Sequence, residues 1–252
     1  MVQKKEIFNR NELLIGTAVM NKISQTRVIL FGLGGVGSWC AEGLIRSGIG
    51  HLTIVDSDQI SPTNINRQLQ ATVETIGQAK TDVLKMRLLS INPYADISAI
   101  QTAYTAETNN NFKLDSYDYI IDAIDSLEHK VSLIINACQT NATLFSSMGA
   151  ALKLDASRIR TAEFWGIKGC PLAAALRRRF KKEIMPAKKF FCVYSDEALG
   201  NKVYSDEVLE NKDTLSIWDK RKARINGAIV HITAIFGFTL AGLLIQDIVN
   251  RV

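Results

Sequence analysis

Arg67, Lys80 and Asp125 are the residues of this 252-residue chain whose types and order most directly suggest chemistry. An arginine and a lysine can neutralise phosphate oxygens, and a carboxylate can hold magnesium, so the three together suit a nucleoside triphosphate. Around them stand Asp56, Asp58 and Asn64, in the segments Asp56-Ser-Asp58 and Asn64-Ile-Asn-Arg-Gln68, with Asp122 three residues before Asp125. Asp56 lies where nucleotide-binding folds place an acid that accepts hydrogen bonds from ribose hydroxyls.

The elements that must position these groups start at Arg27-Val-Ile-Leu-Phe-Gly-Leu-Gly-Gly-Val-Gly37. Val28 to Phe31 reads as a buried parallel strand. Gly32, Gly34 and Gly37 supply a tight turn, close approach to phosphate and close helix packing. A helix starting there would aim its free N–H groups and positive dipole end at an anion. The second strand, from Leu52, ends in Asp56. Up to this point a dehydrogenase fits equally well. Arg67 in a turn-rich segment and Lys80 opening a helix to about Ser90 break the tie, since a pyrophosphate already held by a helix terminus needs few extra cations. A third strand from Tyr117 delivers Asp122 and Asp125 to the carboxyl edge of the sheet, where open α/β sheets bind ligands.

The expected fold is α/β: a Rossmann-like, mostly parallel sheet with helices on both faces, extended by antiparallel strands in the C-terminal part. One domain is expected over 1–252. It comprises a helical arm (1–26), a nucleotide-binding core (27–150) and an extension (151–252) with a polar loop at 195–224 and an apolar helix at 227–249. No proline-rich or glycine-rich linker divides it.

Five blocks, Gly32-Leu-Gly-Gly-Val-Gly37, Asp56-Ser-Asp58, Asn64-Ile-Asn-Arg-Gln68, Gly77-Gln-Ala-Lys80 and Asp122-Ala-Ile-Asp125, occur in one order over roughly a hundred residues. In that order and spacing the chain resembles the ubiquitin-activating-enzyme-like ATP-dependent adenylyltransferases, which include the activators of thiamine and molybdopterin sulfur-carrier proteins. Within that superfamily it is most similar to the bacterial enzymes that cyclise threonylcarbamoyladenosine in tRNA, next to the anticodon. The phrases that carry this closer likeness include Gly35-Val-Gly-Ser-Trp-Cys-Ala-Glu42, Ile121-Asp-Ala-Ile-Asp-Ser126, Pro171-Leu-Ala-Ala174, Cys192-Val-Tyr-Ser195 and Phe236-Gly-Phe238.

The resemblance implies adenylation of a carboxylate with ATP and magnesium. Arg67 and Lys80 would act on the phosphates and Asp125 would hold the metal. Asp56 and Asp58 would serve the nucleotide, Gly35 would bring its backbone near the phosphates, Asn64 would position substrate or phosphate, and Ser126 would complete the set. It also implies a homodimer, because an arginine of the partner's amino-terminal arm, here matched by Arg10, reaches the triphosphate. The substrate would be tRNA carrying threonylcarbamoyladenosine, whose ureido group captures the activated carboxyl. The alternative is the C-terminus of a ubiquitin-like sulfur-carrier protein. Sulfur-transfer or electron-transfer proteins would be further partners.

Bulk properties agree. A net charge of +5 and a pI near 9.0 favour a polyanionic partner. The cationic run Arg177-Arg-Arg-Phe-Lys-Lys182, with Lys188, Lys189 and Lys220-Arg-Lys-Ala-Arg224, either grips tRNA phosphates or forms solvated helix faces. Cys40, Cys138, Cys170 and Cys192 include no C-x-x-C pair, so no zinc is expected. With nothing like a signal peptide at the start, they point to a reducing, cytoplasmic setting. Cys192 reads either as a buried strand cysteine or as a carrier of sulfur or a thioester. Gly227 to Ile245 approaches the length of a membrane span, yet His231, Thr233, Thr239, Gly237 and Gly242 favour a helix packed inside the protein over one associated with a membrane. A tandem repeat, Val193 to Lys202 followed by Val203 to Lys212, reads as a surface insertion.

Overall fold

Every side chain from Val28 to Phe31 is buried in strand β1 (Arg27–Phe31), as a central parallel strand covered on both faces requires. In the computed structural model, which describes residues 3–200 and 226–252, β1 is flanked in parallel by β2 (His51–Val55) and β4 (Tyr119–Asp122). Among the described residues the sheet has seven strands in the order β3-β2-β1-β4-β5-β7-β6, with β3 spanning Asp96–Ile100, β5 Thr143–Ser147, β6 Ile159–Glu163 and β7 Phe191–Ser195.

Alternate strand residues feed two cores. Val28 and Leu30 face one, together with Leu44 of α4 (Gly37–Arg46), Leu84 of α5 (Lys80–Ile91) and Phe236 of the last helix, Val230–Arg251. Ile29 and Phe31 face the other, against Leu133 of α6 (Leu127–Gln139) and Leu176 of α7 (Pro171–Lys182). Each such side chain, taken wholly out of water, contributes about 1.5–3 kcal/mol. The expected layers are therefore present.

Three details differ from the sequence reading. The strand ending at Asp122 is fourth in the chain, because Asp96–Ile100 forms an edge strand with Ile97 as its single buried residue. That segment is as long as β1 but too exposed to announce itself. In the C-terminal part, β7 joins β5 in parallel, and among the described strands only β6 runs antiparallel, paired with β7. Helix α7 carries the chain back to the amino end of the sheet before β7 begins, and that return sets its direction. The amino-terminal arm is three short helices, α1 (Lys4–Ile7), α2 (Asn9–Ile15) and α3 (Thr17–Gln25), broken at buried Phe8 and at Gly16, whose φ is 84°.

The last helix, α8 (Val230–Arg251), lies along α4 and buries Ile232, Thr233, Phe236, Gly237, Leu240, Ala241, Leu244 and Ile248. Gly237 is essential to that fit: a Cβ there would stand 2.8 Å from the Cys40 nitrogen. Gly242 differs, for its side-chain position is open. α8 is long and apolar enough to cross a membrane, but one face of it is packed inside the protein. Most of the tandem repeat and of the 195–224 loop, and all of Lys220 to Arg224, lie outside the described residues.

Candidate nucleotide site

The turn between β1 and α4 is built by close backbone approach. Gly32 adopts φ 87°, a conformation L side chains resist, and a Cβ on it would meet the Ala123 carbonyl oxygen at 2.7 Å. The glycine turn thus packs directly on the turn after β4. Gly37 has no room either, since the Gly32 carbonyl fills its side-chain position. Gly34 is the open one, with Gln68 Nε2 at 4.0 Å from its side-chain position. Gly35 faces Thr233 of α8 at 3.1 Å, so its missing side chain makes room for the last helix. The N-cap of α4 is Val36, which supplies no side-chain acceptor. Ser38 N–H is taken by the Gly34 carbonyl at 3.2 Å, and the positive end of the helix is left to favour an anion.

Asp56 follows β2 and is buried, accepting from Leu33 N–H at 2.6 Å and Asp58 N–H at 2.8 Å. Burial pushes its carboxyl above the ordinary range, and the Lys80 ammonium opposes that shift. Lys80 Nζ lies 3.9 Å from Asp56 and 2.8 Å from Asp58. The lysine is buried, whereas the Asp58 side chain is 65% exposed. Backbone pairing of Ile60 with Gln78 and Gly77, at 2.9 and 2.8 Å, brings the start of α5 against this loop.

Asn64 is also a structural cap. Its Oδ1 accepts from Ser61 N–H at 3.1 Å, closing the short turn Pro62–Asn64. Arg67 donates to the Thr63 carbonyl at 2.7 Å and to Asn66 Oδ1 at 2.9 Å, and its own carbonyl accepts from Trp39 Nε1 at 3.1 Å. Partial burial lowers the Arg67 pKa while nearby Asp125 raises it, and the guanidinium stays charged. Sequence reasoning passed over two neighbours. Gln70 donates to the Leu33 carbonyl at 2.8 Å, and the Oε1 atoms of buried Gln68 and Gln70 have no hydrogen-bond partner among the described residues. Their place beside the glycine turn was the available signal.

Asp122 ends β4 fully buried. One oxygen accepts from Lys130 Nζ at 2.7 Å and Ser146 Oγ at 2.6 Å, the other from Ile124 N–H at 3.1 Å. Asp122 therefore anchors the turn that carries Asp125, which is exposed at the carboxyl edge. Ser126, at the N-cap of α6, contributes its carbonyl to Lys130 N–H at 2.9 Å. Lys130 and Ser146 were not singled out from the sequence. Lys130 lies one turn inside α6, where a lysine ordinarily points to solvent, so only the packing reveals the pair.

The predicted residues meet at one edge of the sheet, with Asp56, Asp58 and Lys80 in contact and Arg67 within electrostatic reach of Asp125. Arg10 stands apart: it is exposed on α2 and makes no hydrogen bond or ion pair among the described residues. Cys192 lies wholly buried in β7, where burial pushes its thiol well up and suppresses the reactive thiolate. Among the described residues no three His, Cys, Asp or Glu side chains cluster around a metal position. Magnesium does not require such a cluster, since it takes one or two carboxylates and fills its octahedron with phosphate oxygens and water. The exposed Asp125 carboxylate fits it.

The sequence profile of the ThiF family matches residues 8–250. The tRNA threonylcarbamoyladenosine dehydratase of Bacillus subtilis is 39% identical over 191 residues, spanning 76% of this chain and 75% of that protein. The Escherichia coli protein of the same name is 33% identical, spanning 93% of this chain and 90% of its own. The solved structure of E. coli tRNA N6-threonylcarbamoyladenosine dehydratase in complex with ATP superposes with a TM-score of 0.85 at 29% identity, over 100% of this chain and 98% of that one.

Proposed function

The chain belongs to the ThiF family, and from that premise we propose that it is an ATP-dependent tRNA threonylcarbamoyladenosine dehydratase. The observation that carries the reading is the likeness to enzymes of that name, at 39% identity over 76% of the chain and 33% over 93%. Lys80, linked through Asp56 to the Leu33 amide of the glycine turn, supports it.

In this reading the carboxylate of the modified nucleoside attacks the α-phosphorus of ATP, forming an acyl adenylate and releasing pyrophosphate. The ureido group of the same nucleoside then attacks the acyl carbon and expels AMP, closing a ring with net loss of water. No enzyme nucleophile is needed, because both groups belong to one substrate and their effective concentration is high. Charge gathers on phosphate oxygens in the first step, so fixed cations and N–H dipoles carry the catalysis.

Arg67 and Lys80 are the catalytic cations, and Asp56 accepts the ribose hydroxyls. Lys80 waits on the exposed Asp58 carboxylate, which a triphosphate can displace. Bound magnesium would sit on Asp125 and neutralise charge between phosphates. Arg10 is assigned to the site of a second copy. The exposed Leu13 and Leu14 beside it suit an arm that lies on a partner, which makes the working unit a homodimer. The four buried free thiols and the tRNA substrate are consistent with a cytoplasmic setting.

The test is direct. Purified protein with ATP, magnesium and tRNA carrying threonylcarbamoyladenosine should yield the cyclised nucleoside by mass spectrometry. No product there, with pyrophosphate exchange stimulated by a small diglycine-ended protein, would select the sulfur-carrier alternative.

A further inference from the structure

Between Phe164 and Phe190 eight residues are Lys or Arg and only Glu183 is acidic. The structure sorts six of these cations, the five of α7 and Lys188, into two groups. Arg177 donates to the Phe164 and Ile167 carbonyls at 3.3 and 2.9 Å, Arg179 pairs with Glu183 at 2.7 Å, and Lys188 donates to the Thr140 and Ala142 carbonyls. These three are engaged by the fold. Arg178, Lys181 and Lys182 are exposed and have no hydrogen bond or ion pair among the described residues. Spaced i, i+3, i+4, they share one face of α7, away from buried Ala173, Leu176 and Phe180. Arg178 and Lys182 are like charges one turn apart, an arrangement that weakens a helix unless an anion covers it.

The direction of α7 matters as much as its charge. The helix starts at the catalytic edge, where Leu172 lies 3.9 Å from the side-chain position of Gly149, just past β5. It ends toward the opposite edge, where Lys188 holds the carbonyls that precede β5. Lys182 therefore stands about 15 Å down the helix from Leu172, at 1.5 Å per residue. We propose that this face of α7 is a rail for the phosphate backbone of the RNA substrate, with the modified nucleotide at the catalytic edge and the flanking stem directed along the helix. The proposal rests on the tRNA reading above. A membrane fits less well, because the apolar helix α8 lies on the other face of the sheet from α7.

The experiment is the salt dependence of tRNA binding by the intact protein and by the triple variant Arg178→Gln/Lys181→Gln/Lys182→Gln. Each phosphate contact contributes a slope of roughly 0.7–0.9 in log affinity against log salt, so the triple variant should lose about two to three from that slope. Arg179→Gln, which removes a cation already paired, should lose less than about one. ATP affinity and the thermal midpoint should not change, since the substituted side chains are exposed and lie away from the nucleotide. If the parent protein binds and cyclises tRNA while the triple variant keeps the parent slope, the rail is wrong and the enzymatic reading stands. Should the parent neither bind nor cyclise tRNA, both fall together. Binding of phosphatidylserine-containing vesicles that depends on these three charges, in place of RNA, would make the face a membrane contact and overturn the proposal.

Discussion

Two lysine–aspartate contacts stand at the same edge of the sheet, and they differ in what water can reach. Lys130 and Asp122 are both fully buried at 2.7 Å, with Ser146 and the Ile124 amide completing the carboxylate's partners. Lys80 is equally hidden, but its nearer partner, Asp58, has 65% of its side chain exposed. A sealed pair cannot trade partners without a large desolvation penalty. A half-open pair can, because solvent already screens one of its members. The first contact therefore holds the turn bearing Asp125, and under the proposed function the second would keep a cation ready for an incoming phosphate.

The largest expected effect is on the sealed side. Lys130→Met leaves the Asp122 charge buried and uncompensated and should cost about 3–5 kcal/mol of stability in denaturant titration. Adding Asp122→Asn should recover much of that loss. A single-variant cost below about 1 kcal/mol would show that the pair holds nothing in place.

Lys80→Met should instead spare most of the stability and lower turnover about 10²–10³-fold, the usual result of deleting one preorganised charge donor. The same variant has a pH signature. Burial raises the Asp56 carboxyl and Lys80 opposes it, so removing Lys80 raises it further. A carboxyl with a raised folded pKa gives the fold a contribution that is fully present below its unfolded pKa and is lost as pH rises from there through the folded value. ATP binding has the opposite dependence, because the ribose needs the ionised form as acceptor. ATP affinity should thus fall on the acid side, and in Lys80→Met that fall should begin at higher pH. Equal acid limbs in the two proteins would separate Lys80 from Asp56.

Asp58→Asn should be the mildest change, with stability altered by less than about 1 kcal/mol and ATP affinity changed by only a few-fold. A loss as large as that of Lys80→Met would mean that Asp58 contacts the nucleotide or its metal rather than parking the lysine.

The sequence shows the open pair more readily than the sealed one. Asp56 and Lys80 sit at recognisable ends of a strand and a helix, and their glycine context assigns them a ligand. Lys130 gives no such cue, since a lysine within an amphipathic helix ordinarily points to solvent and only packing reveals that this one points inward. The same limit applies to β7. Its apolar run identifies a strand, but its direction follows from the return path of α7. Asn64 shows a third kind of limit, because its side chain closes a turn that its place in the motif does not announce.

The contact of α8 with the glycine turn has a consequence for biosynthesis. Thr233 occupies the space beside Gly35, and Gly237 lies against Val36 and Cys40, so Val230–Arg251 forms part of the wall behind the first βα turn. A nascent chain whose ribosome has not yet passed those codons would hold the strands of the core without that backing. Its nucleotide loop would take final shape only once α8 had left the exit tunnel and docked.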